Sequence, residues 1–143
     1  MTDSPYGTPE HELFRDTVRK FVEEELRPRA REFDAEGRFD KSLFKKMGDL
    51  GMLGLRYDPA YGGAGLDWSF TAVMYEELGR SDNAGVTMGI SVQTDMATPS
   101  LHQFGSDELK QEFLAPAIAG EQVAAIAVTE PSAGSDVAGI KTR

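Results

Sequence analysis

An all-α fold, a helical bundle with one short strand-like segment at its C-terminal end, is predicted by three features of this 143-residue sequence. Apolar residues recur at three- and four-residue spacing over most of the chain. Start and stop residues (Thr8-Pro9, Asp40, Gly51, Gly79 and Gly105-Ser106) cut that pattern into helix-length pieces. Strand character is confined to the far end, in Val-Ala-Ala-Ile-Ala-Val-Thr at 123–129.

Thr8-Pro9-Glu10 opens the first helix. Thr8 can accept from free N–H groups, Pro9 suits the first helical position, and Glu10 favours the positive helix end. Leu13, Phe14, Val18, Phe21, Val22 and Leu26 form its apolar stripe. Pro28 either bends this helix or falls near its end, and residues 31–40 carry the chain out. Asp40 can cap a second helix that buries Leu43, Phe44, Met47 and Leu50, with Gly51 after it. Pro59, Gly62, Gly63 and Gly65 make 52–68 a loop. Asp67 or Ser69 caps a third helix lined by Phe70, Val73, Met74 and Leu78. Residues 81–101 mix small residues with Val, Met and Ile and carry few charges. They read as a buried helix that breaks near Pro99, with a shorter helix through Leu101 and Phe104. A last helix over 106–121 places Leu109, Phe113 and Leu114 inside and ends around Gly120. The 123–129 run is a short buried strand or, given its three alanines, one more helix.

Composition excludes several functions. There is no cysteine, hence no disulfide, thiol nucleophile or thiolate metal site. His11 and His102 lack a His-x-x-x-His partner, so no metal site is expected. His11 is read at a solvated helix start and His102 as a packing residue. The net charge of −9 argues against nucleic acid. It also leaves any phosphate site to local backbone groups or a few cations. No apolar run approaches ~18 residues, so no membrane span is expected. The polar, acidic start lacks the layout of a signal or transit peptide, and a cytoplasmic location is expected.

Few motifs suggest chemistry. Gly-Gly-Ala-Gly at 62–65 lacks the third glycine and the preceding strand of a dinucleotide fingerprint, and reads as an interhelical turn. Glu23-Glu24-Glu25 and Glu76-Glu77 read as solvated faces. Met74, Met88 and Met96 are either core filling or the wall of an apolar slot in which Gly85 and Gly89 make room. In Val-Thr-Glu-Pro-Ser-Ala-Gly-Ser-Asp at 128–136, Pro131 fixes the backbone and Gly134 permits close approach or positive φ. Ser135 adds a hydroxyl, successive N–H groups there can form an anion nest, and Thr129 adds a hydroxyl beside them. Those residues suit a phosphate or polar-ring site and, equally, a polar turn.

The stretch Ala127, Val128, Thr129, Glu130, Ala133, Gly134, Ser135, Asp136 and Gly139 resembles, at every position, the N-terminal signature of the acyl-CoA dehydrogenases. Tyr-Gly-Gly-Ala-Gly-Leu-Asp-Trp at 61–68, Tyr-Glu-Glu-Leu-Gly-Arg-Ser-Asp at 75–82 and the 104–121 helix resemble further parts of that family, in the same order. The resemblance implies the N-terminal helical-bundle domain of the acyl-CoA dehydrogenase type over 1–122. Residues 123–143 would be the first strand and flavin-contact loop of a middle β-domain. It implies FAD in the whole enzyme, held weakly or not at all by these residues alone, with Ile126, Val128 and Thr129 against the isoalloxazine ring, Thr129 on its pyrimidine edge, and Gly134 and Ser135 at the pyrophosphate or nearby substrate. Ile126 stands where many members have an aromatic residue. The acyl chain would lie among Met88, Val92, Gln93 and Met96, with Ser135 close by. The implied reaction is α,β-dehydrogenation of an acyl-CoA thioester, with electron-transferring flavoprotein as partner and a homotetramer or homodimer as assembly. In this family the base that removes the α-proton lies beyond residue 143, so no catalytic residue is assigned and these residues alone are expected to be inactive. An acyl-CoA oxidase-like relative and a non-catalytic helical interaction module are the alternatives.

Overall fold

Proline placement explains much of the helix geometry. The structure, a computed structural model, describes residues 7–38 and 40–142. The start that was read as lacking a targeting leader lies, for residues 1–6, outside them. Helix α1 (Pro9–Phe21) is capped by the Thr8 hydroxyl, which accepts from the His11 N–H. It runs on through a wide turn at Val22–Leu26 and a tight turn at Arg27–Arg29 into α2 (Ala30–Glu36). In the wide turn the Arg27 N–H donates five residues back, to the Val22 carbonyl. Pro28 lacks an N–H and its ring crowds the carbonyl four residues earlier, so the regular ladder cannot pass through it unchanged. The helix therefore neither ends nor breaks here. Residues 31–36, expected as a way out, are helical, and Gly37 in the left-handed region stops them.

Helix α3 (Ser42–Asp49) follows, and the loop after it is folded back on itself. There Ala64 N–H donates to Gly54 O at 2.9 Å, Gly65 to Tyr57 O at 3.0 Å, and Leu66 to Leu55 O at 2.7 Å. Gly63 lies so close to Tyr57 that an added Cβ would fall 2.0 Å from the Tyr57 carbonyl oxygen. Helix α4 (Trp68–Leu78) is capped by Asp67 rather than Ser69, and α5 (Ala84–Ser91) by Asn83. Helix α5 passes through a wide turn at Val92–Ala97 into α6 (Thr98–Phe104). Then α7 (Asp107–Leu109), capped by Ser106, passes through a wide turn at Lys110–Leu114 into α8 (Ala115–Ile118).

One core joins α1 to α3, α4 and α5: Val18, Phe21, Val22, Leu26, Phe44, Met47, Met74, Leu78, Val86 and Ile90 meet there. A smaller cluster of Tyr57, Leu114 and Ile118 packs beside it. Several expected core residues lie outside both. Leu13 is 72% exposed, and Leu50, Leu109 and Phe113 are also exposed. In each case a neighbour on the same helix takes the inward position: Phe14 for Leu13, Met47 for Leu50, Leu114 for Leu109 and Phe113. The 81–101 stretch is buried on one side only, through Val86, Ile90, Gln93, Thr94 and Thr98, whereas Met88 and Met96 are exposed.

Two polar readings are also corrected. His11 is buried, not solvated. Its ring stacks on Phe70 at 4.0 Å, and its two nitrogens reach Thr8 Oγ1 at 2.8 Å and Ser69 Oγ at 2.6 Å. Glu77 is 3% exposed and bonds to Arg19 at 2.8 and 2.9 Å and Arg15 at 3.1 Å, with Arg80 3.5 Å away. This carboxylate fastens α4 to α1, and Arg19 first, then Arg15, holds it below the usual carboxylate range against the effect of burial. His102 is half-buried and packs on the Tyr57 ring at 5.0 Å.

Candidate functional site

Gln93 determines how the chain leaves the helical body. It is fully buried in the wide turn after α5. Its Nε2 donates to the carbonyls of Ala117 (3.1 Å) and Gln122 (3.2 Å), and its Oε1 accepts from the Ala124 N–H at 2.6 Å. One side chain thus joins α5, α8 and the exit segment. Past that anchor, residues 125–129 form neither strand nor helix. They are exposed instead of buried, and none of their backbone groups has a hydrogen-bond partner among the described residues. A strand needs a neighbour to complete its ladder, and no such neighbour lies among the described residues. Ile126 and Val128 are 45% and 41% exposed.

A small closed loop follows. Glu130 and Ala133 exchange backbone hydrogen bonds at 2.8 and 3.1 Å across Pro131-Ser132. The Glu130 carboxylate then accepts from the Lys141 N–H and, at 2.9 Å, from the Thr142 hydroxyl. Those donors, Lys141 first, hold Glu130 below the usual carboxylate range. Glu130 therefore ties residues 130–142 into a loop that displays Gly134 and exposed Ser135. Gly134 does not use positive φ, so the anion nest weighed above, which requires a left-handed residue, is not formed in this segment. A Cβ on Gly134 would meet only Thr129 Cγ2, at 3.8 Å, which leaves its surface open to close approach.

The residues read as an acyl site divide in two. Met88, Val92 and Met96, at four-residue spacing, share an outward strip, with Met88 57% exposed. Gln93 points inward and serves the tether instead. Ser135 sits in the closed loop, not on this strip.

Beside the strip lies a groove between α4 and α5 that the sequence did not reveal. Two adjoining depressions of about 460 and 480 Å³ share Tyr75 and Ser91. Trp68, Ala72, Thr71 and Asp95 line one end, and Thr87, Met88 and Asn83 the other. Asp95 pairs with Arg56 at 2.6 Å and accepts from the hydroxyls of Tyr75 and of Thr94, the latter at 2.8 Å. The Arg56 guanidinium lies over the Trp68 ring, 3.5 Å from its centre. Burial, and next Asp95, push the Tyr75 hydroxyl up to about 12. Pro99 has no N–H and so removes one backbone donor from the end of this turn. The Tyr57 hydroxyl takes the Thr94 carbonyl at 2.8 Å and the Thr98 hydroxyl takes the Gln93 carbonyl at 2.5 Å. The signal in the sequence was Asp95 itself: a single carboxylate in an otherwise uncharged helix requires a partner.

The fold has close relatives. Residues 8–121 match the family model for the acyl-CoA dehydrogenase N-terminal domain. The long-chain specific acyl-CoA dehydrogenase of Rattus norvegicus mitochondria is 38% identical over 93% of this chain, which covers 30% of that relative. A crystal structure of an acyl-CoA dehydrogenase from Geobacillus kaustophilus superposes with a TM-score of 0.86 at 37% identity, over 96% of this chain and 36% of that one. An acyl-CoA dehydrogenase complexed with FAD from Bacillus anthracis superposes with a TM-score of 0.80 at 31% identity, over 94% of this chain and 23% of that one. The chain therefore belongs to the acyl-CoA dehydrogenase family, and residues 8–121 are the part that matches its N-terminal domain. The chain spans about a third of the length of the curated relatives it matches, 30% to 36% for the first of them.

Proposed function

We propose that residues 1–122 are the helical domain, and 123–143 the opening segment of a second, β-rich domain, of an FAD-dependent enzyme that desaturates acyl-CoA thioesters at the α,β position. The observation that carries this reading is the exit segment. Gln93 fixes its start, Glu130 closes its end, and the span between them offers an unpaired backbone edge beside two exposed apolar side chains. Such an edge suits a flat heteroaromatic ring with a polar rim, which tests the fit for FAD favourably. Ile126 and Val128 would cover the ring face and Thr129 would bond its rim. Gly134 and Ser135, displayed by the closed loop, would meet phosphate or substrate at close range. When bound, the flavin supplies a hydride acceptor for the β-carbon. The chain's own part is to orient that ring, exclude water from one side and hold the acyl chain along α5 near Met88, Val92 and Met96. Electrons would pass on to electron-transferring flavoprotein, and acyl-CoA is the substrate class.

None of these 143 residues is assigned as the base that removes the α-proton, and a base must lie within hydrogen-bond reach of that proton. Residues 1–143 alone are therefore expected to be inactive. Dye-coupled turnover of the purified chain, supplied with FAD and a series of acyl-CoAs, tests this directly. The expected rate is background; robust turnover would refute the assignment of the base elsewhere.

A further inference from the structure

We infer that the interior space beside Thr71 is a binding site for a single water molecule, which joins the loop over 52–57 to α4 and to the wide turn after α5. The site lies inside the helical body, behind the wall of the groove rather than in it, and does not depend on the acyl-CoA reading.

A void of about 10 Å³ lies where these three elements meet. That is roughly the space one water requires. Volume alone would also suit an empty gap, but the wall does not. Leu53, Leu55 and Met74 supply apolar surface, and Thr71, Thr94 and Asp95 supply polar groups. Small voids stay dry where the lining is apolar and hold water where polar groups converge. Thr71 is 5% exposed, its hydroxyl oxygen is closed to solvent, and that hydroxyl has no hydrogen-bond partner among the described residues. The neighbouring polar groups are committed elsewhere. The Tyr57 hydroxyl spans the Thr94 carbonyl and the Thr98 hydroxyl, and Asp95 takes Arg56, Tyr75 and Thr94. None of them reaches Thr71. On the loop side Leu53 and Leu55 are buried, and neither N–H donates to a partner among the described residues. Buried hydroxyl and N–H groups are nearly always paired. One water satisfies both sides at once: it accepts from the loop N–H groups and shares a hydrogen bond with Thr71 Oγ1. It thereby seats the loop against α4 just before Arg56 turns to meet Asp95.

The test uses the isotope-labelled 143-residue chain, with water itself as the probe. In the wild type, magnetisation transfer from water to the Leu53 and Leu55 amides is expected, with laboratory-frame and rotating-frame cross-peaks of opposite sign, the signature of a long-lived bound water. Thr71→Val keeps the shape of the side chain and removes the hydroxyl. It is expected to abolish those cross-peaks and to lower the melting temperature by about 2–4 °C, because the loop N–H groups lose their bridge. Thr71→Ser keeps the hydroxyl and is expected to retain the cross-peaks, and it carries the test if the valine variant fails to fold. Cross-peaks missing from the wild type or from folded Thr71→Ser, or unchanged in Thr71→Val, would overturn the inference. So would an unchanged or raised melting temperature in Thr71→Val, the result for a dry void from which an unpaired hydroxyl is simply removed.

Discussion

Glu77 shows how a single side chain can be misread from its neighbours. Beside Glu76 it looks like part of a solvated face, yet it is the buried junction of α1 and α4. Period alone cannot separate the two residues, because Glu77 lies at the margin of the apolar stripe. Only Arg15 and Arg19, more than fifty residues earlier, reveal the difference. Glu77→Gln leaves Arg15 nearly buried with half its compensation. It is expected to cost roughly 3 kcal/mol in chemical unfolding. The folded state holds this carboxylate below its ordinary value. Its contribution is therefore complete above pH ~4.3, the unfolded value, and is lost as pH falls through the lowered folded value. The wild type should lose stability across that acid window more steeply than the variant, as read by urea midpoints at stepped pH. Tyr75 works at the opposite end. Its folded value near 12 lies above the usual 10, so its contribution is complete below pH 10 and is lost between 10 and about 12. Tyr75→Phe should flatten stability across that alkaline window. His11 and Asp95 were similarly hidden, since each is defined by partners far away in sequence.

At the scale of the element, one rule accounts for what periodicity could not supply. Each of the three wide turns ends two residues before a proline: Leu26 before Pro28, Ala97 before Pro99, Leu114 before Pro116. In each, the carbonyl that the proline ring would strike lies inside the wide turn, which moves it aside. The prolines were visible in the sequence, and so were the starts and stops of most helices. What could not be read is that these helices absorb their prolines and continue. Pro28→Ala, on an exposed surface away from the groove, restores an N–H and a strong helix former. It is expected to stabilise the chain by about 1–3 kcal/mol in thermal unfolding. Unchanged or reduced stability would show that the wide turn has another cause. The end of α8 is similarly exacting. Gly120 has φ +72°, and a Cβ there would fall 2.0 Å from the Phe44 carbonyl oxygen on α3. Gly120→Ala should therefore cost roughly 3 kcal/mol or more, from strain and overpacking together.

Across the whole molecule, the helical architecture and the signature segment were both legible, because helix caps are local and the signature is contiguous. The order of the exit segment was not. A β-branched run predicts a strand only where something pairs with it, and 125–129 are instead exposed and unpaired among the described residues. The groove was illegible for a different reason: Arg56, Tyr75 and Asp95 come from three separate elements. The Gln93-anchored segment is proposed above as one wall of a flavin site. The most direct measurement is amide hydrogen exchange of residues 122–136 with and without saturating FAD, on the wild type and on Gln93→Leu. Slowed exchange is expected at Ile126, Val128 and Thr129 in the wild type. In Gln93→Leu the Ala124 amide should exchange rapidly and the FAD effect should disappear. Protection by FAD elsewhere on the helical body, with 126–129 unchanged, would contradict it.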